Sequence, residues 1–258
     1  MNDTNNEIVL IVGGGPGISA SCARLFSTEG MQVAIAARTI DKEVLQSLKA
    51  DHDVQLYQCD ATDPSAVKKL FETVSSEIGA PRLVIHNIDG RHTKGGGLSE
   101  IVRKNLIDAD PDLVLQTIKN GAYSAFLVGQ EAGRSMLSRK SSGNSHLGTI
   151  IFTNATAAFR GCAQSAAFAM AAHGKSGLAQ SMARELMPQG IHVAHVPIDA
   201  AIGWEQKDGS RWHRIVGTTE NDNMADPEYI AKTYLQLHRQ HRSTWAYEVI
   251  LRPWVENW

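Results

Sequence analysis

Three glycines, Gly13, Gly15 and Gly17, stand directly after the apolar run Ile8–Val12 in "IVLIVGGGPGIS". Glycine lets a backbone turn tightly and come close to a pyrophosphate. A helix starting near Ile18 and Ser19 would add free N–H groups and a positive dipole end. The next apolar run ends in "VAIAART", where an acid would bond the ribose hydroxyls of an adenine dinucleotide. Ala37 cannot do this. Arg38 can fork onto a 2′-phosphate with the Thr39 hydroxyl beside it, so the pattern favours NADP(H) over NAD. The third run leads into "CDATD". Asp60, with Ala61 next to it, is placed to accept from an adenine amino group.

These groups need a scaffold, and the chain supplies an alternating one. Runs 8–12, 33–36, 55–58, 83–86, 149–153, 192–196 and 248–251 read as about seven buried strands, separated by helical stretches. Alternation of this kind predicts an α/β fold, a Rossmann-type doubly wound parallel sheet with helices on both faces. Asp63 followed by Pro64 marks one helix start. No repeat or low-complexity linker divides the 258 residues, so one domain is expected over 1–258. Two stretches break the pattern. Residues 90–100 are Gly-rich, and 200–225 fall where a substrate lid belongs.

Composition narrows the class. With 43% hydrophobic and 20% charged residues the chain reads as globular. A net charge of −2 offers no electrostatic case for nucleic acid or an acidic membrane. Cys22, Cys59 and Cys162 are far apart and odd in number, so neither a disulfide framework nor a metal site is expected. A reducing cytoplasm fits. The apolar run after the polar start is too short to span a membrane.

Together these residues resemble the short-chain dehydrogenase/reductase family. The family's Thr-Gly-x-x-x-Gly-x-Gly maps onto Val12, Gly13, Gly17 and Ser19, and its Asn-Ala-Gly onto Asn87, Ile88 and Asp89. The likeness extends through "LAQSMARELMPQGIHVAHV" to "STWAYEVILRPW". The resemblance implies a nicotinamide cofactor, a small carbonyl or alcohol substrate, and a homodimer or homotetramer. Pairing would use the helices beginning near Pro111 and Ser165, and an apolar end with Trp254 and Trp258 would complete a second interface.

The resemblance also implies a Ser, a Tyr-x-x-x-Lys and a helical Asn, and here the match fails. The Tyr position falls on Phe168, the Lys position on Ala172 and the Ser position on Ala155, with the Asn position near Gly121 and Asn120 one residue off. A phenyl ring has no O–H to donate, and a methyl group cannot hold a ribose. The family's Pro-Gly after the sixth strand is replaced by Ile198 and Asp199. Lys175, His173 and Asn154 are the candidate substitutes, with Thr156 and Tyr123 the other polar groups nearby. Lys175 lies seven residues after Phe168, the Tyr-x6-Lys spacing of the enoyl-carrier-protein reductases without its Tyr. It sits one helical turn past the usual Lys, about 60° round and roughly 4.5 Å along. Two functions follow as expectations: an NADP(H)-dependent oxidoreductase with a non-standard site, or a non-redox member acting as a cofactor-binding regulator, isomerase or lyase.

Overall fold

The computed structural model describes residues 7–91, 103–139, 146–204 and 224–255. Six parallel strands form one sheet: β1 (Ile8–Val12), β2 (Gln32–Ala37), β3 (Gln55–Gln58), β4 (Leu83–His86), β5 (Gly148–Ala155) and β6 (Ile191–Ile198). Their order is β3-β2-β1-β4-β5-β6. The direction of winding reverses between β1 and β4, and such a switch point opens a crevice beyond the carboxyl ends of the strands.

Strand residues alternate between two cores. Val9, Ile11, Ile35, Ile151 and Val196 pack to one side, while Leu10, Val12, Ala36, Phe152 and Val193 pack to the other. Both faces are therefore buried, which explains why the strands read as continuous apolar runs. Helices α1 (Ile18–Thr28), α2 (Glu43–His52) and α7 (Pro227–Arg239) cover the first face; α3 (Pro64–Glu77), α5 (Ser124–Leu137) and α6 (Ala166–Leu186) cover the second. The start at Asp63 is as expected: its carboxylate accepts from Ser65 N at 2.8 Å and Ala66 N at 3.4 Å.

The expected seventh strand is corrected. Residues 248–251 lie beside β6 but meet it only through isolated parallel bridges, His195 to Glu248 and Ile198 to Leu251. Strand-like bonds persist, with Val249 N donating to His195 O at 3.1 Å and Leu251 N to Pro197 O at 3.0 Å. The chain then turns at Trp254 and Val255. Most of the Gly-rich stretch (92–100) and most of the expected lid (205–223) fall outside the described residues, as does Trp258. The residues flanking this stretch are bonded to each other: Gly203 N donates to Ala225 O at 3.1 Å and Ala225 N to Ala201 O at 2.9 Å. No helix among the described residues is long and apolar enough to cross a membrane.

Candidate active site

A cleft of about 1330 Å3 opens at the switch point. The expected cofactor residues all line it: Gly13, Gly15, Gly17 and Ile18, then Arg38, Thr39, Asp60, Ala61 and Asn87. Gly13 adopts φ +113°, and a Cβ there would stand 2.3 Å from the carbonyl oxygen of Asn87. Only glycine fits that approach. A Cβ at Gly15 would meet nothing within 4 Å, so the loop is open on that side. The Asn87 amide donates to Ser19 Oγ at 2.7 Å, and Ser19 Oγ donates to Gly13 O. This chain ties the end of β4 to the glycine turn.

The helix that follows is left without a cap. Helices α3, α7 and α4 (Pro111–Ile118) begin with Asp63, Asp226 and Asp110, each accepting from the first turn. Helix α1 begins after Gly17 with no side-chain cap and no acid in its first turn. Its amide groups and dipole end point at the cleft without an internal partner, which is the condition for holding a phosphate. At the β2 end Arg38 and Thr39 are exposed. Lys42, which the motif reading missed, joins them and donates to Gly14 O at 2.9 Å. Its place in a loop gave no sequence signal. Asp60 uses one carboxylate oxygen to accept from Thr62 N at 2.9 Å and Thr62 Oγ1 at 2.8 Å.

The other end of the cleft is built differently. Lys175 is only 3% exposed. Its Nζ donates to Thr153 O at 3.0 Å and Ile88 O at 3.1 Å, at the ends of β5 and β4. An ammonium has three protons, so these bonds leave one for a ligand. Burial pushes the Lys175 pKa down to about 8, opposed by the negative charge of Asp89. Asn154 lines the cleft, but its amide turns inward, donating to Ala172 O and His195 Nε2, both at 2.9 Å. His195 Nδ1 in turn donates to Glu248 at 2.8 Å, and burial lowers the pKa of this imidazole. His173 is exposed, bonds back to Ala169 O on its own helix and lines neither cavity described here. The structure thus brings Lys175 and Asn154 to the cleft and leaves His173 outside. Tyr123 stacks on Phe126 at the surface.

Phe168 lines the cleft and packs with Ala157, Ala158 and Ala172. The Arg91 guanidinium lies over its ring, 4.8 Å from the centroid, and forks onto Asp89. Sequence reading missed Arg91, which directly follows "NIDG". Residues Lys119–Tyr123 form a π-turn between α4 and α5. Such a turn adds a residue to the helical register, and Asn120 rather than Gly121 lines the cleft. Gly121 is buried instead, where a Cβ would stand 2.9 Å from Ala171 Cβ. Thr156 Oγ1 donates to the buried Asp199 carboxylate at 2.6 Å. No cluster of three or more metal-ligating side chains occurs among the described residues.

This glycine turn, uncapped helix and switch-point cleft can be set beside known proteins. The family model described as Enoyl-(Acyl carrier protein) reductase matches residues 13–247. The chain belongs to this short-chain dehydrogenase/reductase family. Members of the family bind nicotinamide cofactors. A secoisolariciresinol dehydrogenase from Forsythia intermedia is 27% identical over 72% of this chain, a match spanning 63% of that relative's own length. A (+)-cis,trans-nepetalactol synthase from Nepeta racemosa is 26% identical over 90% of this chain and 83% of its own. The crystal structure of a short-chain dehydrogenase from Rhodopseudomonas palustris superposes with a TM-score of 0.75 at 28% identity, covering 96% of this chain and 99% of that one.

Proposed function

We propose that the protein is an NADP(H)-dependent oxidoreductase acting on a carbonyl or alcohol, with a non-standard proton-handling site. The observation that carries this reading is the pairing, in one cleft, of an uncapped helix start beside Arg38, Thr39 and Lys42 with a buried Lys175 at the far end. The glycine turn and α1 seat the pyrophosphate. The two cations and the Thr39 hydroxyl take the 2′-phosphate, and Asp60 takes the adenine amino group. The nicotinamide, when bound, supplies or accepts the hydride.

The chain's own part in the chemistry rests on Lys175. With two protons given to Thr153 O and Ile88 O, the third is free for a ribose hydroxyl. A pKa near 8 also lets this ammonium give up a proton close to neutral pH. Lys175 lies seven residues after Phe168, one helical turn beyond the family's usual Lys position. Asn154 and His195 hold the end of β5 against α6, and Phe168 keeps water from the site. As a cytoplasmic homodimer or homotetramer, the protein would pair through α4–α6, where Leu115, Phe126 and Met170 are exposed.

A second reading is favoured by a different observation. Phe168, Ala172 and Ala155 present carbon where the family carries donors, and the Nepeta relative is named as a synthase. On that reading the cofactor is bound but not turned over, and the protein is a regulator, an isomerase or a lyase. Titration with NADPH and NADH, followed by absorbance of the reduced nicotinamide with a panel of ketones and alcohols, separates the two. Turnover that disappears in Lys175→Ala supports the first; tight NADPH binding without any turnover supports the second. Arg38→Asp should weaken NADPH about 10- to 100-fold and NADH hardly at all, as loss of a charge-assisted phosphate contact requires. Equal loss for both cofactors overturns the phosphate assignment.

A further inference from the structure

A second cavity, of about 370 Å3, adjoins the cleft and shares Arg91, Arg103, Ala155 and Phe168 with it. Its walls are charged unevenly. Four cations line it, Arg91, Arg103, Lys104 and Arg160, against two carboxylates, Asp110 and Asp199. This excess of positive charge occurs in a chain whose net charge is −2.

Each carboxylate has a partner, although the buried Asp199 Oδ2 accepts no hydrogen bond. Asp110 caps α4, accepting from Asp112 N at 2.9 Å. Asp199 is 1% exposed and accepts from Thr156, with Arg160 at 3.9 Å and Arg252 at 3.6 Å. Arg91 is held by Asp89. Arg103 and Lys104 make no hydrogen bond or ion pair with any described residue, so the uncompensated charge falls on them. Leu113, Val114, Ala157 and Phe168 give the lining an apolar part, beside the polar Thr117, Thr156, Gln164 and Ser165.

We propose that this cavity takes a substrate carrying a carboxylate or a phosphate on an apolar body, the anion lying against Arg103 and Lys104 and the body on Phe168 and Leu113. The proposal deepens the function proposed above and rests on it for the word substrate. Exposed cations alone add little affinity, because water screens them. A ligand that buries its apolar body beside them brings the anion into a partly desolvated mouth, where selection by charge is stronger. The volume fits a small ligand site.

Calorimetric titration of octanoate, octyl phosphate, 1-octanol and octylammonium, with and without NADPH, tests it. At least one anion is expected to bind tenfold or more tightly than the alcohol, with the cation weakest. The two anions tell carboxylate from phosphate. In Arg103→Gln/Lys104→Gln the favoured anion should lose at least tenfold, while the alcohol is unchanged. Octanol binding as well as the anions, no binding by any of the four, or an anion indifferent to the double substitution overturns the proposal. Failure of NADPH itself to bind overturns the proposed function instead, and the anion preference is then read from the protein without cofactor.

Discussion

The two ends of the cleft differ in where their polar groups point. Beyond β1, β2 and β3, Arg38, Thr39, Asp60 and the first amides of α1 face outward and keep bonding capacity in reserve. Beyond β5 and β6, Asn154 bonds His195 and Thr156 bonds Asp199, so these groups spend most of theirs inside the protein, with Asp199 Oδ2 left without a hydrogen bond. Under the proposed function, the first arrangement would receive the cofactor. The second mainly holds strands and helix together, with Lys175 as the group that still has a proton to offer the cleft. Lining a cleft and serving it are therefore distinct, and only hydrogen-bond accounting separates them.

The sharpest break of this comparison uses two glycines of one turn. Gly13→Ala should unfold the turn, because its Cβ would stand 2.3 Å from the Asn87 oxygen, and should lower both the melting temperature and NADPH affinity. At Gly15→Val the added Cβ meets no protein atom within 4 Å, so the variant should leave melting unchanged while weakening NADPH at least tenfold. A Gly15→Val protein that binds NADPH normally would show that the loop is not a phosphate seat.

Next in size is Lys175→Met. NADPH affinity should fall about tenfold, the loss of a charge-assisted bond. The pH dependence has a definite sign. Because the folded pKa, about 8, lies below the ordinary lysine value, the unfolded chain binds the extra proton between the two, and stability rises with pH across that window. Wild type should therefore gain on Lys175→Met between pH 8 and about 10.5, read from paired thermal melts. A constant difference would mean that the ammonium is not buried.

Phe168→Tyr sharpens the other side. Restoring a phenol where the cleft meets the second cavity should raise carbonyl reduction severalfold if the missing donor limits the rate. An unchanged rate would point to Lys175 or water as the proton source. The smallest effect expected is at Asp226→Ala, which removes an α7 cap. It should cost about 1 kcal/mol of stability and leave NADPH binding untouched, a control for the cofactor variants.

That the expected cofactor residues line one cleft could be read from sequence because their determinants are local. A glycine turn after an apolar run, and the residues closing β2, need no knowledge of distant partners. The parallel sheet was legible for a similar reason, since strands buried on both faces stay apolar throughout. The outcome at 248–251 was not, because an apolar run looks the same whether it joins a full ladder or meets β6 only through isolated bridges. Asn120 was missed by one residue because helical counting does not anticipate a π-turn. The partnership of Asn154 with His195 joins two strands 41 residues apart and has no periodic trace. Lys42 and Arg91 are loop cations, and a charge in a loop looks the same whether it faces solvent or a ligand.

The central claim is that this chain holds an adenine dinucleotide phosphorylated at the 2′ position. Calorimetric titration of the wild-type protein with NADPH and, in parallel, NADH tests it most directly. The account predicts heat of association with both, and at least tenfold tighter binding of NADPH. No binding of either, or a preference for NADH, would contradict it.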